Sequence, residues 1–295
     1  MQITENCIVN GMPEKKVYHK DPCIKPSLSS SMVITIMERT EKDCYLESPR
    51  LNPDYKEDDT SSAAADLGTI AHDFVLRGGK DTYEIAPFDS WRKDDAKLAK
   101  ADIERRGLIA LNTSHQEMLD DVRRMADELH NYLDSQHDYP GLMTAGKAEQ
   151  SAFCLTNGVW KRARFDWLDE KYSDIIVDYK TTGVSFENWQ KNQLWGEGKW
   201  MQSVHYRDVY QSITGRAPNL VYVVQQVKKP FHVQVITTDA SYTDDMMDRY
   251  NSGCNRFKNC LETGIWRGEK PYTIHSCPPP WVLSRWEEEA GDIRP

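Results

Sequence analysis

The chain has 295 residues, 39% hydrophobic and 28% charged, enough to bury one large core or two small ones and too apolar for a wholly disordered chain. Its 37 Lys and Arg against 46 Asp and Glu give a net charge of −9, which excludes non-specific coating of nucleic acid but leaves room for a local basic groove. No run approaches the roughly 18 apolar residues of a membrane span, and the start, MQITENCIVNGMPEKK, has no apolar signal core, so a cytoplasmic protein without membrane contact is expected.

Residues 1–27, with Pro13, Pro22 and Pro26 among polar neighbours, predict an extended N-terminal segment. One serine of the run Ser27 to Ser31 should cap a short helix ending near Arg39. Turn residues and the acidic cluster KEDD predict a loop over 51–62. Leu67, Ile70, Ala71, Phe74 and Val75 recur at helical spacing, so a helix should run over 63–76 and stop at Gly78-Gly79. Residues 92–136 are charged and periodic, and predict one or two amphipathic helices.

The pattern changes at Lys147. AEQSAFCL, VWKRARFDWLDE and DIIVDYKTT are consecutive strand-like runs, and Asn157-Gly158 between the first two signals a hairpin. A helix over about 195–213, two more strands, LVYVVQQV and FHVQVITT, and a helix over about 242–261 complete the order. The economical fold class is a single α/β domain with a helical insertion.

The chemistry lies in the second and third strands. Side chains alternate across a strand, so Arg162, Arg164 and Asp166 share one face, and Asp178 and Lys180 share a face of the next strand. Asp178 ends the apolar run Ile175-Ile176-Val177, and a charge buried there needs compensation. A divalent cation supplies it, and oxygen ligands suit Mg²⁺ or Mn²⁺ better than zinc. Glu149 offers a third carboxylate and His72 can reach the same ion. Gln202 and Tyr206, at i and i+4, share a helix face from which they can orient the site or touch a substrate phosphate.

Gly68-Thr-Ile-Ala-His72, Glu149, Asp166, Asp178-Tyr179-Lys180 and Gln202-Ser-Val-His-Tyr206 resemble, in order, the GxxxH, E, D, DxK and QxxxY motifs of RecB-type nucleases in the PDDEXK superfamily. Tyr18 to Pro22 followed by Ser27 to Ser31 is similar to the opening of the RecE (exonuclease VIII-like) nuclease domain of phages and prophages, and the whole resemblance spans about residues 14–240. It implies a PDDEXK core, a mixed central sheet flanked by helices, over 62–265 with a helical insertion at about 92–137. An N-terminal extension (1–61) would precede it and a C-terminal tail (266–295) would follow.

Carried over, the resemblance makes Asp166 and Asp178 metal-binding carboxylates and Lys180 the catalytic lysine. His72 becomes a further ligand, Glu149 a ligand or water-orienting group, and the Tyr179 carbonyl a main-chain ligand, while Arg162, Arg164, Gln202 and Tyr206 support the site or contact DNA. The implied activity is Mg²⁺- or Mn²⁺-dependent exonuclease action on linear double-stranded DNA. By family analogy the 5′ strand is degraded, leaving 3′ overhangs for a single-strand annealing protein, by a homo-oligomer, a tetramer being favoured. Many PDDEXK nucleases carry Glu where Asp178 stands, and RecB-like members carry Asp.

Two other readings compete. Cys44, Cys254, Cys260 and Cys277 mimic the layout of iron–sulfur nucleases of CRISPR or repair type, but the seven cysteines contain no CxxC pair, and reduced thiols are the simpler expectation. A catalytically silent DNA-binding protein could keep the fold, against which stand the intact Asp166, Asp178 and Lys180.

Overall fold

The computed structural model of the chain describes residues 2–10, 15–56, 63–79, 82–269, 273 and 275–292; part of the loop expected over 51–62 lies outside them. The N-terminal segment contributes to the sheet. Strand β1 (Cys7–Asn10) pairs antiparallel with the first strand of the later hairpin, and after helix α1 (Lys15–His19) the two-residue β2 (Ser27–Leu28) pairs parallel with the second. Between α1 and β2, Asp21 accepts from the Ser27 amide at 2.6 Å and hydroxyl at 2.7 Å, which holds the turn. Helix α2 (Ser30–Glu38) is capped by the Ser29 hydroxyl, as the serine run predicts, and Thr40 caps α3 (Glu41–Leu46).

Helix α4 (Ala63–Arg77) follows the expected span and ends at Gly78 and Gly79, both at positive φ. After α4 comes β3 (Tyr83–Ala86), and the region expected to be only helical, 92–136, contains α5 (Asp94–Arg105), β4 (Ile109–Asn112) and α6 (Gln116–Ser135), with β3 and β4 forming a separate parallel pair. A four-residue strand carries too few alternations to be seen beside two longer helical patterns.

The hairpin is β5 (Gly146–Thr156) and β6 (Val159–Asp169), turned by Asn157 and Gly158 with φ of 52° and 79°, the left-handed pair that a two-residue turn requires. Then come β7 (Ile175–Thr182), a single turn α7 (Phe186–Asn188) and a π-helical segment, Trp189–Gly196. Helix α8 (Trp200–Thr214) is closed by Gly215, and is followed by β8 (Asn219–Gln226), β9 (Val233–Thr237), α9 (Thr243–Thr263) and α10 (Pro280–Asp292). The helix expected from 195 thus begins five residues later, because a wider helical form precedes it.

The main sheet runs β1-β5-β6-β7-β8-β9, with β2 added to β6. Neighbours are antiparallel except β7 with β8 and β2 with β6. This is a mixed α/β sheet flanked by helices, as expected. Phe165, Ile176 and Tyr222 pack on one face with Val33, Val204 and Tyr250 from α2, α8 and α9, while Val177, Tyr179 and Val223 pack on the other with Val75, Leu129 and Leu133 from α4 and α6. Each such burial contributes about 1.5–3 kcal/mol, so the strands that carry the polar groups are fixed from both sides. No described helix is long and apolar enough to cross a membrane.

Candidate metal centre

Register alone aligns the carboxylates. Ala148 lies opposite Trp167, and Trp167 opposite Val177, so one step along the strands Glu149, Asp166 and Asp178 form a row across β5, β6 and β7. The ladder between β5 and β6 pairs every residue on either side of this step but not Glu149 with Asp166, and Glu149 sits at φ 54°. Phe165 and Trp167, two residues apart, pack into different clusters. The alternation of β6 is therefore broken at Asp166, where a regular strand would keep both on one face.

Helix α4 brings His72 onto this row. Gly68, one turn earlier, faces β7: a Cβ there would lie 3.2 Å from the Thr181 hydroxyl, so glycine lets the helix approach the strand. That is the physical content of the GxxxH spacing. His72 Nε2 lies 3.0 Å from Asp166 Oδ2 and Nδ1 3.4 Å from Glu149 Oε1. One ligand atom from each of these three residues falls within 4.8 Å of the others, the one such grouping of His, Cys, Asp or Glu among the described residues.

Asp178 is held next to that group rather than in it. Its Oδ1 accepts from Gln202 Nε2 at 2.7 Å. Its buried Oδ2 lies 2.5 Å from Lys180 Nζ, an ion pair, and accepts no other hydrogen bond. Gln202 Nε2 also donates to the Tyr206 hydroxyl at 2.9 Å, and that hydroxyl donates to the Arg164 carbonyl at 2.6 Å, so α8 ties β7 to β6 through the two residues of the QxxxY spacing. The Tyr179 amide donates to Asp166 Oδ2 at 2.9 Å, while its ring turns to the opposite face and donates to Gln225 Oε1 at 2.7 Å.

These contacts set the charges. Burial pushes Asp178 up to about 6, with the charge of Asp166 adding to the effect against the pull of Lys180. Burial also opposes ionisation of Asp166, but His72, Lys180 and the Tyr179 amide outweigh it and hold this carboxyl below its usual range. Burial disfavours the charged forms of His72 and Lys180 too; Asp166 and Glu149 nonetheless raise His72, and Asp178 and Asp166 raise Lys180.

The two arginines of β6 part company. Arg164 ion-pairs with Glu149 through Nε and leaves Nη1 buried without a partner. Arg162 is committed to the N-terminal segment: it donates to the Ser27 carbonyl and hydroxyl, lies 3.4 Å from Asp21 and stacks 5.8 Å from the Tyr18 ring centre. Sequence reading missed both ion pairs. Asp21 is 141 positions from Arg162, and no local pattern links them. Both arginines line a groove with His72, Glu149, Lys20, Ser29, Ser31, Arg77 and Arg106, of about 1260 Å³. Cys44 and Cys254 are buried in the main core, Cys260 is also buried and Cys277 is exposed; among the described residues they gather no ligand set.

The donor set suits a divalent cation. Carboxylate oxygens dominate it, an imidazole completes it, and beside it the buried Asp178 carboxylate has only the Lys180 ammonium against its Oδ2. Comparison with known proteins agrees with the geometry. Residues 40–271 match the family model of the PDDEXK-like domain of unknown function (DUF3799), and the chain belongs to that family. Its fold is similar to a crystal structure from Eubacterium rectale described as a "Putative exonuclease", with 11% sequence identity, a TM-score of 0.56, and coverage of 96% of this chain and 98% of that one. No curated protein matches the sequence.

Proposed function

We propose that this PDDEXK-like chain is a divalent-metal-dependent deoxyribonuclease, and that it acts as an exonuclease on the ends of linear double-stranded DNA. The observation that carries this reading is the row Glu149, Asp166, Asp178 with His72 over it and Lys180 at its end.

In this reading Asp166, Asp178, Glu149, His72 and the Tyr179 carbonyl would hold Mg²⁺ or Mn²⁺. The cation, when bound, supplies an acidified water and neutralises the scissile phosphate. The remaining chemistry belongs to side chains. Lys180, kept charged by Asp178 and Asp166, stabilises the negative charge that grows on the phosphate oxygens as the bond forms. Gln202 fixes the Asp178 carboxylate, and Tyr206 fixes Gln202, so the nucleophile and phosphate meet a rigid acceptor. Arg164, which lines the groove beside Glu149, would meet a neighbouring phosphate there, in the manner that lets a protein with net charge −9 hold DNA.

The resemblance to RecE-type enzymes supports degradation of the 5′ strand, 3′ overhangs that feed a single-strand annealing protein, and a ring-like homo-oligomer, a tetramer being favoured. Digestion of linear duplexes labelled at the 5′ or the 3′ end, with a closed circle as control, tests this. Early release of the 5′ label with the circle spared is expected; efficient cutting of the circle would make the enzyme an endonuclease instead.

A further inference from the structure

Between Lys180 and Gln202 the chain leaves the site and returns to it: Lys180 and Gln202 both contact the Asp178 carboxylate. The excursion contains three tryptophans, and the structure gives them different uses. Trp189 is fully buried, edge-on to the Tyr222 ring at 5.6 Å, and Tyr222 lies beside Asp178 in the β7–β8 register. Trp200 is buried at the start of α8. Trp195 is 45% exposed, and among the described residues its ring meets no other ring and its Nε1 no acceptor.

The backbone under Trp195 is unusual as well. Residues 189–196 are π-helical, with the Glu197 amide donating to the Asn192 carbonyl at 2.8 Å. Such segments are rare beyond a single turn and concentrate at functional sites. This one is anchored from below by Trp189 and Leu194, both buried, and by the Tyr222 hydroxyl donating to the Lys199 carbonyl at 2.8 Å. The exposed indole is therefore held by a fixed platform. Around it the excursion carries Glu187 and Glu197 against Lys191 and Lys199, a locally neutral patch in an acidic protein.

We propose that Trp195 is a base-stacking subsite, taking the face of an unpaired nucleobase in the strand that enters the site. The inference rests on the nuclease reading and adds where that strand is gripped. An indole face on a neutral, rigid rim matches the chemistry of single-strand recognition, because every base offers a π-face and stacking needs no particular sequence. The seven residues from Trp195 to Gln202 span at most ~25 Å of chain. At about 3.4 Å per nucleotide, the stacked base lies within about seven nucleotides of the cut.

The test compares wild type, Trp195→Phe and Trp195→Ala on two substrates: linear duplex DNA with a short single-stranded end, and thymidine 5′-p-nitrophenyl phosphate, a diester with no flanking base to stack. Trp195→Ala should raise KM for DNA about tenfold, as loss of one stacked base predicts, leave turnover of the small diester unchanged, and be largely rescued by Trp195→Phe. A scan of single abasic sites should find one position within that reach that weakens wild type but not Trp195→Ala. Unchanged KM for DNA in Trp195→Ala, or equal sensitivity of wild type and variant at every abasic position, overturns the subsite. Equal loss on both substrates assigns Trp195 a structural role and also overturns it. A wild type that cleaves neither substrate refutes the nuclease reading itself.

Discussion

Glu149 faces Asp166 across β5 and β6 at the one step of that ladder where no backbone pair forms, and it holds φ 54° there. A non-glycine residue in the left-handed region costs on the order of 1–3 kcal/mol, and the Arg164 and His72 contacts of the Glu149 carboxylate offset it. Glu149→Gly and Glu149→Ala both remove those contacts and differ only in backbone tolerance. The glycine variant should be the more stable by about 1 kcal/mol in urea unfolding, the reverse of their usual order inside a strand. An alanine variant at least as stable would show that position 149 is ordinary extended chain.

Arg162 and Arg164 are separable. Removing Arg162 leaves Asp21 buried without its cation and strips the Ser27 contacts, so Arg162→Ala should lose about 3–5 kcal/mol of stability. Arg164→Ala should weaken DNA binding and flatten its salt dependence by about one phosphate contact, with a smaller loss of stability. Filter binding at several salt concentrations, beside denaturant unfolding, reads both. Equal salt slopes for Arg164→Ala and wild type would remove Arg164 from the phosphate contacts.

His205 provides a pH prediction away from the candidate metal centre. It is fully buried, with Nε2 donating to the Arg162 carbonyl at 2.9 Å and Nδ1 3.1 Å from the Tyr250 hydroxyl, and burial lowers its pKa from 6.5 to about 4. The unfolded imidazole takes up a proton near 6.5 and the folded one only near 4. Stability from this group is therefore complete above 6.5 and is lost as pH falls towards 4, by about 3 kcal/mol in all. Urea unfolding of wild type and His205→Gln at pH 7 and pH 4.5 should show a shallower acid loss in the variant. Parallel losses would mean that His205 is protonated in the folded protein.

Much of this was readable in the residues. The hairpin at Asn157-Gly158, strands β5 to β9 and the glycine four residues before His72 all follow from local patterns, and these elements position the site. What escaped reading depends on distance or on small elements. Strands β1 and β2 have four and two residues and draw their register from β5 and β6, more than 130 positions away. The partition of Arg162 from Arg164 is decided by Asp21 and Glu149, not by strand alternation, which places both on one face. The separation of Asp178 from the His72, Glu149 and Asp166 group is likewise set by Gln202 on a distant helix.

The central claim is that this carboxylate row and its lysine hydrolyse DNA with a divalent cation. Its most direct test is the rate of linear duplex digestion by wild type, Asp178→Ala and Lys180→Ala, purified identically and assayed with Mg²⁺ and with excess chelator. Wild type should digest the duplex only with the metal, and each variant, folded by circular dichroism, should be at least about 100-fold slower. Digestion that survives chelation, or a folded variant cutting at the wild-type rate, would contradict the account.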